Sequence, residues 1–181
     1  MSAALDALAV PWFLTGSIAS SLHGIPRSTN DIDIVVLLPP HLAGEFVSLL
    51  GEAYYADETM IRMSFLRRQA CNVIWLETMM KIALMPPRFD FDGNAMARRQ
   101  RSGLSDGSGN ELAVAVATPE DAILAKLVWY RAGGATSERQ VSDIRGIISA
   151  QSDRLDRGYL DDWARRLGLE DQLLTLIAQS A

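Results

Sequence analysis

RSTNDIDIVV, residues 27–36, sets two carboxylates into an apolar run. In a β-strand, residues i and i+2 project from the same face, so a strand here places the side chains of Asp31 and Asp33 side by side. Two like charges this close repel each other unless a cation or a hydrogen-bond network offsets them. Carboxylate pairs of this kind suit Mg²⁺ or Mn²⁺, which also keep waters and phosphate oxygens as ligands. The pattern therefore predicts a metal site at Asp31 and Asp33.

A second feature lies upstream, where Gly16 and Ser17 separate an apolar segment from a predicted helix, Ile18 to His23. A glycine lets a phosphate approach the backbone, and the start of a helix presents free N–H groups to an anion. A predicted anion site and a predicted cation site in one short segment indicate metal-assisted chemistry on a nucleotide.

The whole segment resembles the signature of the DNA polymerase β nucleotidyltransferase superfamily. It is most similar to small bacterial nucleotidyltransferases related to abortive-infection toxins, whose pattern reads G-G-x-A-x-x-x-x-G-x-x-R-x-T-x-D-I-D. The residues that fit this pattern are Gly16, Ser17 (as the Gly-Ser variant), Ala19, Gly24, Arg27, Thr29, Asp31, Ile32 and Asp33. Pattern alone gives only an α+β or α/β class. The resemblance implies more: an α+β (mixed α/β) nucleotidyltransferase-fold sheet flanked by helices, with a C-terminal helical bundle.

The resemblance also implies an activity, the Mg²⁺-dependent transfer of a nucleoside monophosphate from an NTP to a hydroxyl acceptor. Asp31 and Asp33 are the implied catalytic and metal-binding residues. The implied nucleotide-binding residues are Gly16, Ser17, Arg27, Thr29, Lys81 and Lys126. The acceptor stays open between a protein, a tRNA and a small molecule.

Three of these residues have simpler interpretations as well. Arg27 and Thr29 lie in the loop before the acidic strand, and a turn held by Ser and Thr hydroxyls explains that loop equally well. Lys126 matches a lysine of the relatives' T-P-E-D-x-x-x-x-K-L segment, yet a helical lysine can also extend along the surface toward solvent. His23, which is not one of the implied residues, could be a ligand or a base. It ends a predicted helix, however, where the dipole favours histidine without either role.

One position departs from the family pattern. Relatives read N-x-I-x-L-E-T-x-x-K-V-D-L where this chain reads NVIWLETMMKIAL, residues 72–84, so Ala83 replaces the third acid of the superfamily. That acid is the implied general base on the attacking hydroxyl, and general-base assistance is worth about 10²–10⁴ in rate. We therefore expect impaired transfer, with Asp90 and Asp92 as alternative acids. A non-catalytic homologue that binds a nucleotide or a partner is the rival hypothesis, and kinship alone suggests a toxin–antitoxin component.

Periodicity and capping residues predict the remaining elements. We expect a core over 1–117 and a C-terminal helical region over 118–181, packed as a single compact unit. Either Asp57 or Thr59 is predicted to cap one helix, and Thr118 is the predicted N-cap of another. Arg139 and Asp143 could pair at i and i+4 on one helix. The predicted segments are helices at 2–9 and 41–52, strands at 72–77, 80–85 and 111–117, a loop at 102–109, and helices at 155–167 and 169–177.

Bulk properties limit the class of protein. The chain has 181 residues and a net charge of −5, which argues against broad, charge-driven DNA binding. One cysteine, Cys71, cannot form an intrachain disulfide, which favours a reducing cytoplasm. We expect neither a signal peptide nor a membrane span, because no basic n-region and no long apolar stretch is visible.

Overall fold

A computed structural model describes residues 1–87, 90–105, 109 and 111–179. The chain divides into two compact units. The sheet unit comprises Met1–Thr15 and Thr29–Val116, and the helical unit comprises Gly16–Ser28 and Ala117–Ala181. Residues 16–28, which the sequence predicts in the core, therefore group with the C-terminal helices.

The strands form one mixed sheet within the sheet unit, in the order β3-β4-β5-β2-β1-β7-β6. The mixed α/β prediction is confirmed. The strands are β1 (Trp12–Thr15), β2 (Asp31–Val36), β3 (Tyr54–Tyr55), β4 (Cys71–Trp75), β5 (Met80–Met85), β6 (Gln100–Ser105) and β7 (Glu111–Val116). The helices are α1 (Ser2–Ala7), α2 (Gly16–His23), α3 (Ala43–Leu50), α4 (Glu58–Leu66), α5 (Asp90–Arg98), α6 (Pro119–Ala132), α7 (Glu138–Gln151), α8 (Arg157–Leu167) and α9 (Glu170–Ala178).

The acidic strand β2 lies inside the sheet, antiparallel to β1 and parallel to β5. Its C-terminal half is apolar, and Ile34 and Val36 are buried. Leu84 of β5, Phe46 of α3 and Ile61 of α4 are fully buried in the same unit. Each such side chain contributes about 1.5–3 kcal/mol by leaving water. The core therefore holds the apolar end of β2 and leaves its acidic end half-exposed.

Three helices of the helical unit begin at side-chain caps. The side chains of Thr118, Ser137 and Asp156 accept hydrogen bonds from backbone N–H groups in the first turns of α6, α7 and α8. Such caps are worth about 1 kcal/mol each. In the sheet unit Asp57 caps α4 in the same way. Of the two candidates Asp57 and Thr59, Asp57 is the cap, and the cap predicted at Thr118 is confirmed.

Two predicted segments differ from the structure. Residues 102–105 are not loop, because β6 pairs with β7 from Gln100 opposite Val116 to Ser105 opposite Glu111. Pairing along the whole strand overrides the Gly- and Ser-rich composition that suggested a loop. Residues 106–108 of that predicted loop lie outside the described residues. The helix predicted over 41–52 is regular only over α3, with 3₁₀ turns at Pro40–Leu42 and Gly51–Ala53.

Two smaller predictions concern position. Asp90 and Asp92, expected in a loop, lie in the first turn of α5. Cys71 is buried, as expected of a small apolar side chain, and burial raises the pKa of its thiol. Among the helices that the structure describes, none combines the length and the apolar character needed to cross a bilayer.

The close approach of α2 and α7 gives a first prediction. A Cβ on Gly24 would lie 2.7 Å from the backbone atoms Gly146 C and Ile147 N. Because backbone cannot move cheaply, Gly24→Ala should lower the free energy of unfolding by about 1–3 kcal/mol. Urea titration followed by circular dichroism measures this change.

The matched control is Gly93→Ala in α5, where a Cβ meets nothing within 4 Å. Alanine is about 1 kcal/mol better than glycine inside a helix, so the control should be neutral or stabilising. Equal destabilisation by both substitutions would contradict the packing argument.

Candidate functional site

The acidic pair lies at the N-terminal end of β2. Asp31 and Asp33 are two residues apart within the strand, so their side chains project from the same face of the sheet. Both residues are only partly exposed. The like charges therefore lie close together and are incompletely screened by solvent.

Asp31 has two partners in the sheet unit. The Thr29 hydroxyl donates to Asp31 Oδ1 at 2.6 Å and thereby ties the loop to the start of β2. Lys81 Nζ lies 3.9 Å from Asp31 Oδ2, and its side chain is half-exposed. An exposed ion pair contributes at most about 1 kcal/mol. Lys81 therefore offsets only part of the repulsion between the two acids.

Ala83 is the neighbour of Asp33 on β5. The parallel register pairs Asp31 with Lys81 and Asp33 with Ala83, so the position lacking the expected acid lies directly beside Asp33. On its other side, Ala83 pairs with Asn72 of β4. No set of three or more His, Cys, Asp or Glu side chains suited to a metal ion occurs in the described part of the chain.

The donor set nevertheless suits one hard cation. Mg²⁺ is commonly held by one or two carboxylates, with waters and phosphate oxygens completing six ligands. Asp31 and Asp33 offer two carboxylates on one face, and Lys81 leaves that face with a net charge of −1. The donor chemistry of the pair therefore fits a single Mg²⁺.

The helical unit contains a second charged cluster, built on Asp143 of α7. Arg27 holds this carboxylate with two hydrogen bonds, from Nε to Oδ1 at 2.8 Å and from Nη2 to Oδ2 at 2.9 Å. Lys126 Nζ donates to the same Oδ2 at 2.7 Å and to Gln140 Oε1 at 3.2 Å. One carboxylate is thus shared by two cations, so the Arg27–Asp143–Lys126 trio carries a net charge of +1.

The three members of the trio differ in exposure. The side chains of Lys126 and Asp143 are 4% and 6% exposed, whereas that of Arg27 is 27% exposed. The Lys126 ammonium is buried, so the alternative of a lysine reaching along the surface to solvent is wrong. Its role toward a nucleotide stays a prediction.

Gly16 and Ser17 open α2 in the same unit. Gly16 has a φ of 59°, a left-handed conformation that glycine adopts without a Cβ clash. The Ser17 hydroxyl accepts a hydrogen bond from Arg27 Nη2 at 2.7 Å. Gly16 and Ser17, two of the predicted nucleotide-binding residues, therefore lie at the start of α2, and the side chain of Arg27, a third, reaches Ser17 there.

In the helical unit, one predicted pairing is corrected and one structural interpretation is supported. Asp143 pairs with Arg27 and Lys126 rather than with Arg139, because tertiary partners outcompete an exposed i, i+4 pair worth only a few tenths of a kcal/mol. His23 Nε2 donates to the Ala117 carbonyl at 2.7 Å, which favours its structural interpretation over a ligand or base role.

Sequence reasoning did not assign Asp143 to this cluster. Burial alone would raise the pKa of its carboxyl, but the hydrogen bonds and charges of Arg27 and Lys126 outweigh burial and lower it. Arg27 and Asp143 are 116 residues apart, so no local pattern links them. The available signal was chemical. The sequence predicted two phosphate-binding cations, Arg27 and Lys126, and such cations need a carboxylate partner when no phosphate is bound.

Comparison with known proteins informs the fold. No family model matches the chain, and no curated protein sequence does. Among solved structures, ANT(2'')-Ia in complex with adenylyl-2''-tobramycin aligns with a TM-score of 0.50 and 15% identity, covering 91% of this chain and 92% of that one. The chain has the fold of ANT(2'')-Ia.

Two further structures align with a TM-score of 0.49. A solution structure of the antibiotic-resistance factor ANT(2'')-Ia is 14% identical, over 96% of this chain and 92% of that one. An antigenic nucleotidyltransferase-like protein from Paracoccidioides brasiliensis is 18% identical, over 96% and 87% of the respective chains.

The trio gives a prediction about stability and pH. Asp143→Asn removes one partner of two buried ion pairs and should cost about 3–5 kcal/mol of unfolding free energy at neutral pH. Because the folded pKa of Asp143 lies below the unfolded value of about 3.9, its contribution is complete above that value and is lost as pH falls through the folded pKa. The difference between wild type and variant should therefore shrink as the pH falls below about 4, as urea titrations at several pH values measure.

Asp162→Asn is the matched control in the same unit. Asp162 pairs with Arg165 at 3.3 Å, and both side chains are 63% exposed. Its removal should cost less than about 1 kcal/mol at any pH. A control effect as large as that of Asp143→Asn would contradict the importance of burial.

Proposed function

We propose that the protein is a Mg²⁺-dependent nucleotidyltransferase that transfers a nucleoside monophosphate from an NTP to an acceptor. The observation that carries the proposal is the same-face pair Asp31 and Asp33 at the exposed end of β2. The likeness in fold to ANT(2'')-Ia supports it, since that protein is solved with an adenylylated compound.

Each residue of the sheet unit has one role in this proposal. Asp31 and Asp33 hold Mg²⁺, which when bound neutralises developing charge on the triphosphate. Thr29 fixes the carboxylate of Asp31 by its 2.6 Å hydrogen bond. Lys81, half-exposed beside Asp31, adds a positive charge for phosphate.

The helical unit supplies an anion site in this proposal. Arg27 is oriented by Asp143 on one side and by Ser17 on another, so its guanidinium is held in place before any ligand arrives. The free N–H groups at the start of α2 favour phosphate through the helix dipole. Gly16, Ser17 and Arg27 bind phosphate oxygens, and Lys126 keeps the local charge positive.

The acceptor is proposed only by class. The compound in the ANT(2'')-Ia structure makes small molecules the first acceptors to test, before proteins and tRNA. We infer from the single cysteine that the protein works in the cytoplasm.

Ala83 favours a second candidate function, a nucleotide-binding protein without catalysis. The position beside Asp33 carries no acid, so the usual base for a hydroxyl acceptor is missing there. Such a protein would keep the carboxylate pair and the anion site and bind Mg·NTP without turning it over.

Removal of one carboxylate tests the metal role. Asp33→Asn should lower NMP transfer by more than about 10²-fold, because even the outer partners of metal ligands are worth 10–100-fold. Isothermal titration with Mg·NTP should show weaker binding as well. Radiolabelled NMP transfer and titration together measure both effects.

Glu45→Gln, which neutralises an exposed acid of α3, is the control and should change neither quantity. Transfer retained in Asp33→Asn would contradict the proposal. Tight Mg·NTP binding without transfer, in wild type and in Ala83→Asp alike, would favour the non-catalytic candidate.

A further inference from the structure

A row of side chains crosses the sheet unit at the level of Asp33. The register places Thr15 of β1, Asp33 of β2, Ala83 of β5 and Asn72 of β4 side by side. Residues paired across neighbouring strands project from the same face. This row therefore has a single ionisable member, Asp33.

The adjacent row adds Asp31 and Lys81, which pair across β2 and β5. A hydroxyl acceptor must lose a proton as it attacks, and a base must stand within about 3 Å of that proton or one water away. Asp31 and Asp33 serve the cation, and a carboxylate that holds Mg²⁺ is a weakened base. Lys81 is an ammonium beside Asp31 and donates protons rather than accepting them. These two rows of the sheet unit thus hold no spare proton acceptor. Asp90, one of the alternative acids, lines a cavity with Val36 at the apolar end of β2.

Asp143, the buried acid of the helical unit, is also a poor proton acceptor. Asp143 accepts hydrogen bonds from both Arg27 and Lys126. Those contacts hold the pKa of its carboxyl below the usual range despite burial. A carboxylate so stabilised gains little by taking up a proton.

We propose that the acceptor attacks through an oxygen that is already ionised, that of inorganic phosphate or a phosphate monoester. The inference rests on the proposed function and names its substrate class. The oxyanion forms a bond to the α-phosphorus of the NTP, while the bond from that phosphorus to the bridging oxygen breaks. The electron pair leaves with pyrophosphate, and no proton is transferred. Inorganic phosphate yields a nucleoside diphosphate, and a monoester yields a substituted pyrophosphate.

The charges on this face favour such an acceptor. Neighbouring strands lie about 4.8 Å apart, so an acid at position 83 would set a further negative charge beside Asp33 and repel an incoming anion. Ala83 removes that repulsion and leaves room, because it is partly exposed. The Lys81 ammonium and the exposed Asn72 amide are hydrogen-bond donors suited to a phosphate oxygen.

The test compares two acceptors with wild type and with Ala83→Asp. Protein, Mg²⁺ and a mixture of unlabelled NTPs are incubated with ³²P-labelled inorganic phosphate or with ¹⁴C-labelled glycerol. Labelled nucleoside diphosphate can arise only by transfer, because hydrolysis of the NTP yields an unlabelled product. We expect wild type to form labelled nucleoside diphosphate at least about 10²-fold faster than nucleotidyl-glycerol. This factor is the lower end of the rate gain that a general base provides.

Ala83→Asp should reverse this preference. Its rate with glycerol should rise by about 10²–10⁴-fold, and its rate with phosphate should fall. With inorganic phosphate, the wild-type rate should level off above the second pKa of that acceptor, as expected when no base on the protein titrates. Ala53→Asp adds the same charge at an exposed position of the sheet unit and should leave the preference unchanged.

The outcomes separate the two proposals. Wild-type transfer to glycerol at a rate equal to or above that with phosphate overturns the inference and leaves the transferase proposal intact. Absence of transfer to either acceptor by either protein, with Mg·NTP binding shown by titration, contradicts the transferase proposal itself. If Ala83→Asp fails to fold, the wild-type preference and its pH profile decide alone.

Discussion

The repulsion between Asp31 and Asp33 is the constraint on which the candidate site depends. Two carboxylates on one face of β2 would move apart if the strand were free to bend. Backbone pairing with β1 and β5 on both sides prevents this. Lys81, at 3.9 Å from Asp31, offsets at most about 1 kcal/mol because the pair is exposed. The sheet therefore keeps two like charges on one face, and in the proposed function a divalent cation offsets their repulsion.

The helical unit shows the opposite arrangement of charge. Asp143 is shared by Arg27 and Lys126, and the shared carboxylate keeps the two cations from repelling each other. Burial strengthens these contacts, because the protein interior has a low dielectric constant and screens the attraction between opposite charges less than water does. Without Asp143, the buried Lys126 would shift toward its neutral form. The carboxylate thus preserves positive charge in the absence of any ligand.

Local patterns in the sequence predicted the features that depend on interactions between residues close together in the chain. The same-face pair follows from the period of a strand, and the caps at Asp57 and Thr118 follow from hydrogen bonding within one helical turn. The trio was not predictable in this way, because 116 residues separate Arg27 from Asp143. β6 was missed for a related reason. Its six residues gain strand structure from pairing with β7, whereas their own composition favours a loop.

A third acid at position 83 would both add charge for a cation and accept a proton, and Ala83 does neither. Holding a cation needs charge on the face of the sheet, and Asp31 and Asp33 supply that charge without position 83. Accepting a proton needs a spare base, and only this second requirement is lost with an alanine beside Asp33. In the proposed function, Ala83 is therefore not equivalent to loss of the site, because holding the cation and removing a proton would use different side chains. On the acceptor proposed above, what Ala83 would change is the kind of oxygen that attacks most easily.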